Sequence, residues 1–258
     1  MKDRYLNLSP DADRKQAALF EKWLSGDDIP FANADAAAAY RKRATLIKDA
    51  IQLLKTPARI PICPSAGFFP VQYAGASMYD AMYDYDILTQ AWEKYCQDFT
   101  PDAYNAPTTI VPGKLLDILD FKLCKWPGRG VSKKQEYQYV EKEYMQADEY
   151  QDLIDDPTGY FMGVYFPRIF GNLKPLEKMP LLPIVNELPC VPPAAIPFGT
   201  EEVQSTLKTL MQAGKETTRW LTAVRRINRS VMGKGYPAFS GGFTKAPFDV
   251  IGDTLRGT

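Results

Sequence analysis

The chain has 258 residues, 45% of them apolar and 12% aromatic, which is the composition of a packed globular protein and excludes disorder as the dominant state. Its 31 basic side chains are balanced by 31 acidic ones, so there is no basic field of the kind that drives binding to a phosphate backbone, and a nucleic-acid partner is not expected. Histidine is absent, which removes the usual general base and the commonest metal ligand and leaves chemistry to carboxylates, tyrosines, lysines, a thiolate or a bound cofactor.

The opening stretch MKDRYLNLSPDADRKQ lacks a basic region followed by an apolar core, and no run approaches the ~18 apolar residues of a membrane span. The expectation is a soluble cytoplasmic protein. Cys63, Cys96, Cys124 and Cys190 are widely spaced, with no C-x-x-C pair to suggest a disulfide framework or a zinc ribbon, and read as reduced thiols.

Ser9-Pro10-Asp11 is a helix start, and the helix to about Gly26 is expected to bury Leu19, Phe20, Trp23 and Leu24. Asn33 can cap a second helix in which Tyr40, Ile47, Ile51 and Leu54 repeat at helical spacing until Thr56-Pro57 stops it. Residues 1–57 thus read as a helical collar. The run ARIPICPSAGFFP follows as a strand with a loop at its carboxyl end. Asp84 then caps a helix with Leu88, Trp92, Tyr95 and Phe99 on one face, DAYNAPTTIVPG reads as a second strand, and KLLDILD as a short helix.

From about 121 to 200 the periodicity is poor, and the segment reads as an insertion holding a hairpin around Tyr137, Tyr139 and Tyr144 and one or two helices. Thr200 opens a long amphipathic helix, with Val203, Leu207, Leu210, Leu221, Val224 and Ile227 on its apolar side and a bend at Gly214. YPAFSGGF supplies a third strand, and Pro247 begins a last helix. Strand, helix, strand, helix is the order of an α/β fold with a parallel sheet, because parallel neighbours need a crossover.

RIPICPSAGFFPVQY and FSGGFTKAPFDVIGDTLRGT resemble the first and third strand motifs of the uroporphyrinogen decarboxylase superfamily, which includes the corrinoid-dependent methyltransferases, and EYMQADEYQDLIDDP resembles a divergent, anaerobe-type branch of it. The resemblance covers roughly residues 40 to 258. It implies a (β/α)8 TIM barrel preceded by N-terminal helices, of which residues 58–258 would be the N-terminal part, cut just after the third strand and prone to self-association through an open barrel edge. On the same expectation, Val250, Ile251 and Leu255 lack a following strand to bury them, and residues 247 to 258 should fray.

True decarboxylases carry two arginines flanking Gln-Ala-Gly in the first motif; here Pro64 and Phe68 stand around Ser65-Ala66-Gly67. The aspartate expected after the second strand falls near Ala106 to Thr109, where no carboxylate exists, and Asp253 stands at the position of a family tyrosine. Losing both arginines removes bidentate carboxylate recognition. The resemblance therefore implies a corrinoid-dependent methyltransferase-like enzyme, acting on a small-molecule substrate with a corrinoid (cobalamin) cofactor or corrinoid protein, and with zinc only if a further C-terminal half supplies it. Porphyrinogen decarboxylation and a non-catalytic binding or scaffold role are the alternatives. Loops at strand ends place Gly67, Phe68, Asn105, Thr108, Gly242 and Lys245 at a substrate or cofactor, while Asp249 and Asp253, four apart on one helix face, form a candidate acid/base pair. For Gly241-Gly242 a plain turn, and for the two aspartates a solvated face, are the competing readings.

Overall fold

The computed structural model describes residues 10–179, 185–239 and 245–257. It is a mixed α/β fold in which helix dominates and a single small sheet is formed among the described residues. Two compact units share the chain. One comprises residues 1–76, 86–109 and 223–241, the other 77–85, 110–222 and 242–258.

In the first unit, α1 (Pro10–Ser25) and α2 (Ala34–Gln52) form where expected, and the Asn33 side chain accepts the Ala36 amide at 2.9 Å, satisfying one of the free donors at the helix start. Ser9, the other expected cap, lies outside the described residues. The apolar face of α1 is shallower than its periodicity suggests: Leu19 is 69% exposed, and Phe20, Trp23 and Leu24 are half-buried. Tyr40 and Ile47 of α2 are buried, whereas Ile51 and Leu54 are exposed, because the helix ends at Leu53 in a left-handed residue before Leu54 can join its face.

Arg43 of α2 ties three segments together. Its guanidinium donates to Pro101 O and Gly235 O, both at 3.1 Å, and lies 4.5 Å from the centroid of the Tyr236 ring. Gly235 itself has φ +94, and a Cβ there would sit 2.6 Å from Ala36 O, so both conformation and space demand glycine.

After α3 (Phe69–Tyr73), α5 (Tyr85–Phe99) buries Leu88, Trp92 and Tyr95 as its spacing requires, while Phe99 at its end stays half exposed. Among the described residues the three expected strands do not form ladders; residues 240–243 of the third lie outside them. Ile62 O accepts the amides of Asp102 and Ala103, Tyr104 N donates to Pro237 O, and Phe239 N donates to Tyr104 O, which leaves a single parallel bridge, Tyr104 to Ala238. Prolines at 61, 64, 101, 107 and 237 remove the amides that longer ladders would need.

In the second unit, α4 (Met78–Tyr83) begins with a capping box between Ser77 and Asp80, and α6 (Gly113–Leu119) forms as expected. The tyrosine-rich stretch is one arm of the sheet rather than a hairpin in itself: β1 (Cys124–Pro127) pairs in parallel with β2 (Gly130–Val131) and antiparallel with β3 (Gln138–Tyr139). Short helices α7 (Tyr150–Asp155), α8 (Pro157–Tyr160) and α9 (Phe166–Ile169) follow, the last two joined by a π turn at Phe161–Tyr165, and a 3₁₀ run spans Gly171–Lys178. Their core is Leu123, Tyr144, Met145, Tyr160, Tyr165 and Ile169.

Leu255 belongs to that same core, with Val250 packed against it. The final segment, α12 (Pro247–Val250) continued by a π turn at Ile251–Arg256, is thus buried on the 121–170 region rather than frayed; Tyr165 donates to Thr254 O at 2.6 Å and Arg256 to Met145 O at 2.6 Å. The expectation failed because the insertion, not a following strand, supplies the apolar partner.

After α10 (Val191–Ala195), the long helix α11 (Glu201–Gly233) starts at Thr200, whose hydroxyl accepts the Val203 amide, and runs through Gly214 as one α-helix. Val203, Val224 and Ile227 are buried, while Leu207 and Leu221 are more than a third exposed.

The acidic motif contributes an organising ion pair that spacing does not reveal. Glu149 receives both terminal nitrogens of Arg168, the Gln146 amide at 2.7 Å and the Tyr160 hydroxyl at 3.0 Å. The Arg168 bond leads in pulling its carboxyl down to about 2. A carboxyl held below its unfolded value of about 4.3 stabilises the fold above that pH and loses the contribution as pH falls toward 2. Urea unfolding of the wild type and Arg168→Met from pH 6 to 2 checks this. The variant should be less stable by ~2 kcal/mol at neutral pH, and the difference should shrink steadily below about pH 4.3.

Candidate functional site

The loop after the first expected strand lines an apolar cleft in the first unit. Asp102, 2% exposed, fixes it: its two oxygens receive the Arg59 guanidinium at 2.5 Å each, and Oδ2 also accepts the Ile62 amide at 2.8 Å. Burial alone would raise the Asp102 pKa, but the Arg59 and Ile62 bonds and the nearby Arg43 charge hold it below the ordinary carboxylate range. Ile62 O in turn accepts the Asp102 and Ala103 amides, so the segment is gripped through backbone on both sides.

From Ile62 the chain runs through Pro64, Ser65 and Ala66 to Gly67, whose φ of +51 turns it into α3; a Cβ there would meet nothing, so the glycine serves conformation alone. Phe69 N donates to Ala66 O and closes the turn. Phe69 stacks on Tyr73 at 5.8 Å and meets Tyr95 and Phe99 edge-on at 6.1 and 5.4 Å. Phe69, Tyr95 and Phe99, with Ile62, Pro64, Ser65, Ala66 and Pro101, line a cleft of about 370 Å³ that has no charged lining residue.

The charges at its flank are paired with each other. Asp98 accepts from Lys94 at 2.6 Å and from Tyr73 at 3.0 Å, and the Lys94 ammonium leads in holding its carboxyl low. The Cys63 thiol beside the loop is pushed up, first by burial and then by Asp102, which makes it a poor nucleophile.

The expected site residues divide between the units. Gly67 and Phe68 sit on this loop, Phe68 buried at 4% exposure as the residue before α3. Asn105 offers its carbonyl to Trp92 Nε1–H at 2.8 Å, and Thr108 lies exposed in a short 3₁₀ turn. Gly242 lies outside the described residues, as does Gly241. In the second unit Lys245 is brought to Asp253 at 2.5 Å and lies 4.4 Å over the Tyr139 ring. Asp253 is therefore held by an ammonium, while Asp249, on the exposed side of α12, raises the Lys245 pKa only through space. Burial pushes the nearby Cys124 thiol up to about 11.

Among the described residues, no three His, Cys, Asp or Glu side chains are grouped to hold a metal ion, and no helix is long and apolar enough to cross a membrane. Sequence reasoning missed Arg59 and Asp102, the pair that positions the cleft. The available signal was an arginine preceding an apolar strand and an aspartate at the start of the next. No protein family, curated protein or solved structure matches the chain.

Asp102→Ala should therefore do more than remove a surface charge. It leaves Arg59 and the Ile62 amide without their acceptor and should cost ~2–3 kcal/mol in chemical denaturation. Amide exchange at Ile62 and Ala103 should accelerate well before the α11 amides respond; uniform acceleration across the unit would show that Asp102 has no local role.

Proposed function

We propose that the chain carries the first three strand segments of a uroporphyrinogen decarboxylase-type (β/α)8 barrel, and that it serves methyl transfer of the corrinoid-dependent kind on a small molecule. The single observation that carries the activity is the uncharged, aromatic cleft beside the loop Pro64–Phe69. A porphyrinogen bearing many carboxylates needs cationic partners at that loop, and the cleft lining offers none. The fold reading is supported by the order of neighbours in the first unit: segment 60–63 against 102–103, and 104 against 237–239, the last contact parallel.

A cleft of about 370 Å³ fits a small organic molecule and is too small for a corrin ring. Its residues suit the small partner in the transfer, with the cofactor presented from outside the cleft. When bound, a methylated corrinoid supplies a methyl group to a nucleophile. This chain's part is to hold the small molecule against Phe69, Tyr95 and Phe99, to exclude water, and to keep the flanking carboxylates of Asp98 and Asp102 neutralised by Lys94 and Arg59. In this reading the loop residues Gly67 and Phe68 set the turn beside the cleft.

Titration with methylcobalamin, in the presence and absence of simple thiols, tests the proposal by visible spectroscopy. We expect a perturbed corrinoid spectrum or thiol-dependent demethylation, weakened at least tenfold by Phe69→Ala, a residue that is 44% exposed, with thermal melting of the variant as the check that it folds. An unperturbed spectrum with every thiol, or an unchanged response in the variant, overturns it.

A further inference from the structure

A second, larger cleft of about 1000 Å³ lies in the first unit between α2 and the segments 55–59 and 100–102. Its lining carries Arg41, Lys42, Arg43, Lys55 and Arg59 against two carboxylates, Asp49 and Asp102. Both acids are engaged: Lys55 pairs with Asp49 at 3.1 Å and Arg59 with Asp102 at 2.5 Å. Among the described residues no carboxylate lies within ion-pair distance of Arg41, Lys42 or Arg43; Arg41 and Arg43 donate to backbone carbonyls instead. Five cations less two acids leave a surplus of three positive charges in one concavity. Thr45, Thr56 and Thr100 add hydroxyl donors to the same wall, and Leu46 and Ala58 supply apolar surface.

Thr100 gives an independent sign. It holds φ +46, a left-handed conformation that a β-branched residue avoids, at a helix end where glycine is the usual occupant. Its amide closes α5 on Cys96 O, a bond glycine would make equally well, so closing the helix does not account for the threonine. The residue lines the cleft, where a threonine brings a hydroxyl and a glycine would not.

We propose that this cleft binds a small polyanion of the diphosphate class, its charge met by Arg41, Lys42 and Arg43, its oxygens by the threonine hydroxyls and its organic part by Leu46 and Ala58. Guanidinium groups and hydroxyls match phosphate oxygens in geometry, and three surplus charges match a diphosphate at neutral pH. None of its residues lines the aromatic cleft, and Arg41, Lys42, Arg43 and Thr100 have no part in the methyl-transfer proposal, so binding here is tested apart from it.

Calorimetric titration of the whole chain with inorganic pyrophosphate, with citrate and sulfate as competitors, provides the test. We expect saturable pyrophosphate binding that weakens at least tenfold from about 20 mM to about 300 mM salt, and at least tenfold in Lys42→Ala, an exposed change that spares the fold. Thr100→Gly should bind several-fold more weakly while melting at a higher temperature, opposite movements that a purely structural threonine would not give. Absence of binding, binding equal in Lys42→Ala, or citrate binding more tightly than pyrophosphate overturns the proposal.

Discussion

The first unit depends on one buried carboxylate. Asp102 must lose its water to sit where it does, which is costly for a charge unless each lone pair finds a donor. Arg59 and the Ile62 amide provide them, and the same backbone stretch is held by Ile62 O accepting from Asp102 and Ala103. In a region where prolines deny the chain regular ladders, a charged side chain takes over what inter-strand amides do in a sheet. The aromatic cleft exists because the strand-like segment is fixed at this point before it turns at Gly67.

The second unit is held differently. The elements of its 121–170 region are too short to be stable alone, and large aromatic side chains from several of them pack in one cluster with Met145, which is fully buried. Polar handles on those rings are not left unmatched: Tyr144 donates to Val140 O, Tyr165 to Thr254 O and Tyr160 to Glu149. Irregular backbone is tolerated here, including two π turns and a 3₁₀ run, because packing rather than hydrogen-bond regularity decides the conformation.

This difference explains what could be read in advance. α2 and α11 carry side-chain caps and α5 an apolar face, all local properties, so Asn33, Thr200 and the Leu88–Trp92–Tyr95 spacing locate them directly. The segments at 60–63, 102–104 and 236–239 were legible as extended neighbours, but apolar runs say nothing about how many amides proline removes. The 121–170 region was the least legible, since its core is a set of contacts between residues far apart in the chain, such as Leu255 with Tyr144 and Met145, which leave no periodic trace. Among site residues, Gly67 has a local cue, whereas spacing pairs Asp253 with Asp249 and does not bring Lys245 to it; Arg59 with Asp102 is a pairing across 43 positions, and only the folded chain brings it together.

One short segment also separates two kinds of chemistry. Thr100 and Asp102 line the cationic cleft while Pro101 between them lines the aromatic one. Likewise Arg59 faces the cationic cleft and Ile62 the aromatic one. The Arg59–Asp102 pair thus does two things at once. It anchors the wall, and it neutralises the carboxylate nearest the apolar side, so that the aromatic cleft can stay free of charge beside a concavity with three positive charges in surplus. A lysine in place of Arg59 could balance the charge but could not span both carboxylate oxygens in one planar contact, and the wall between the two clefts would lose its fixed geometry.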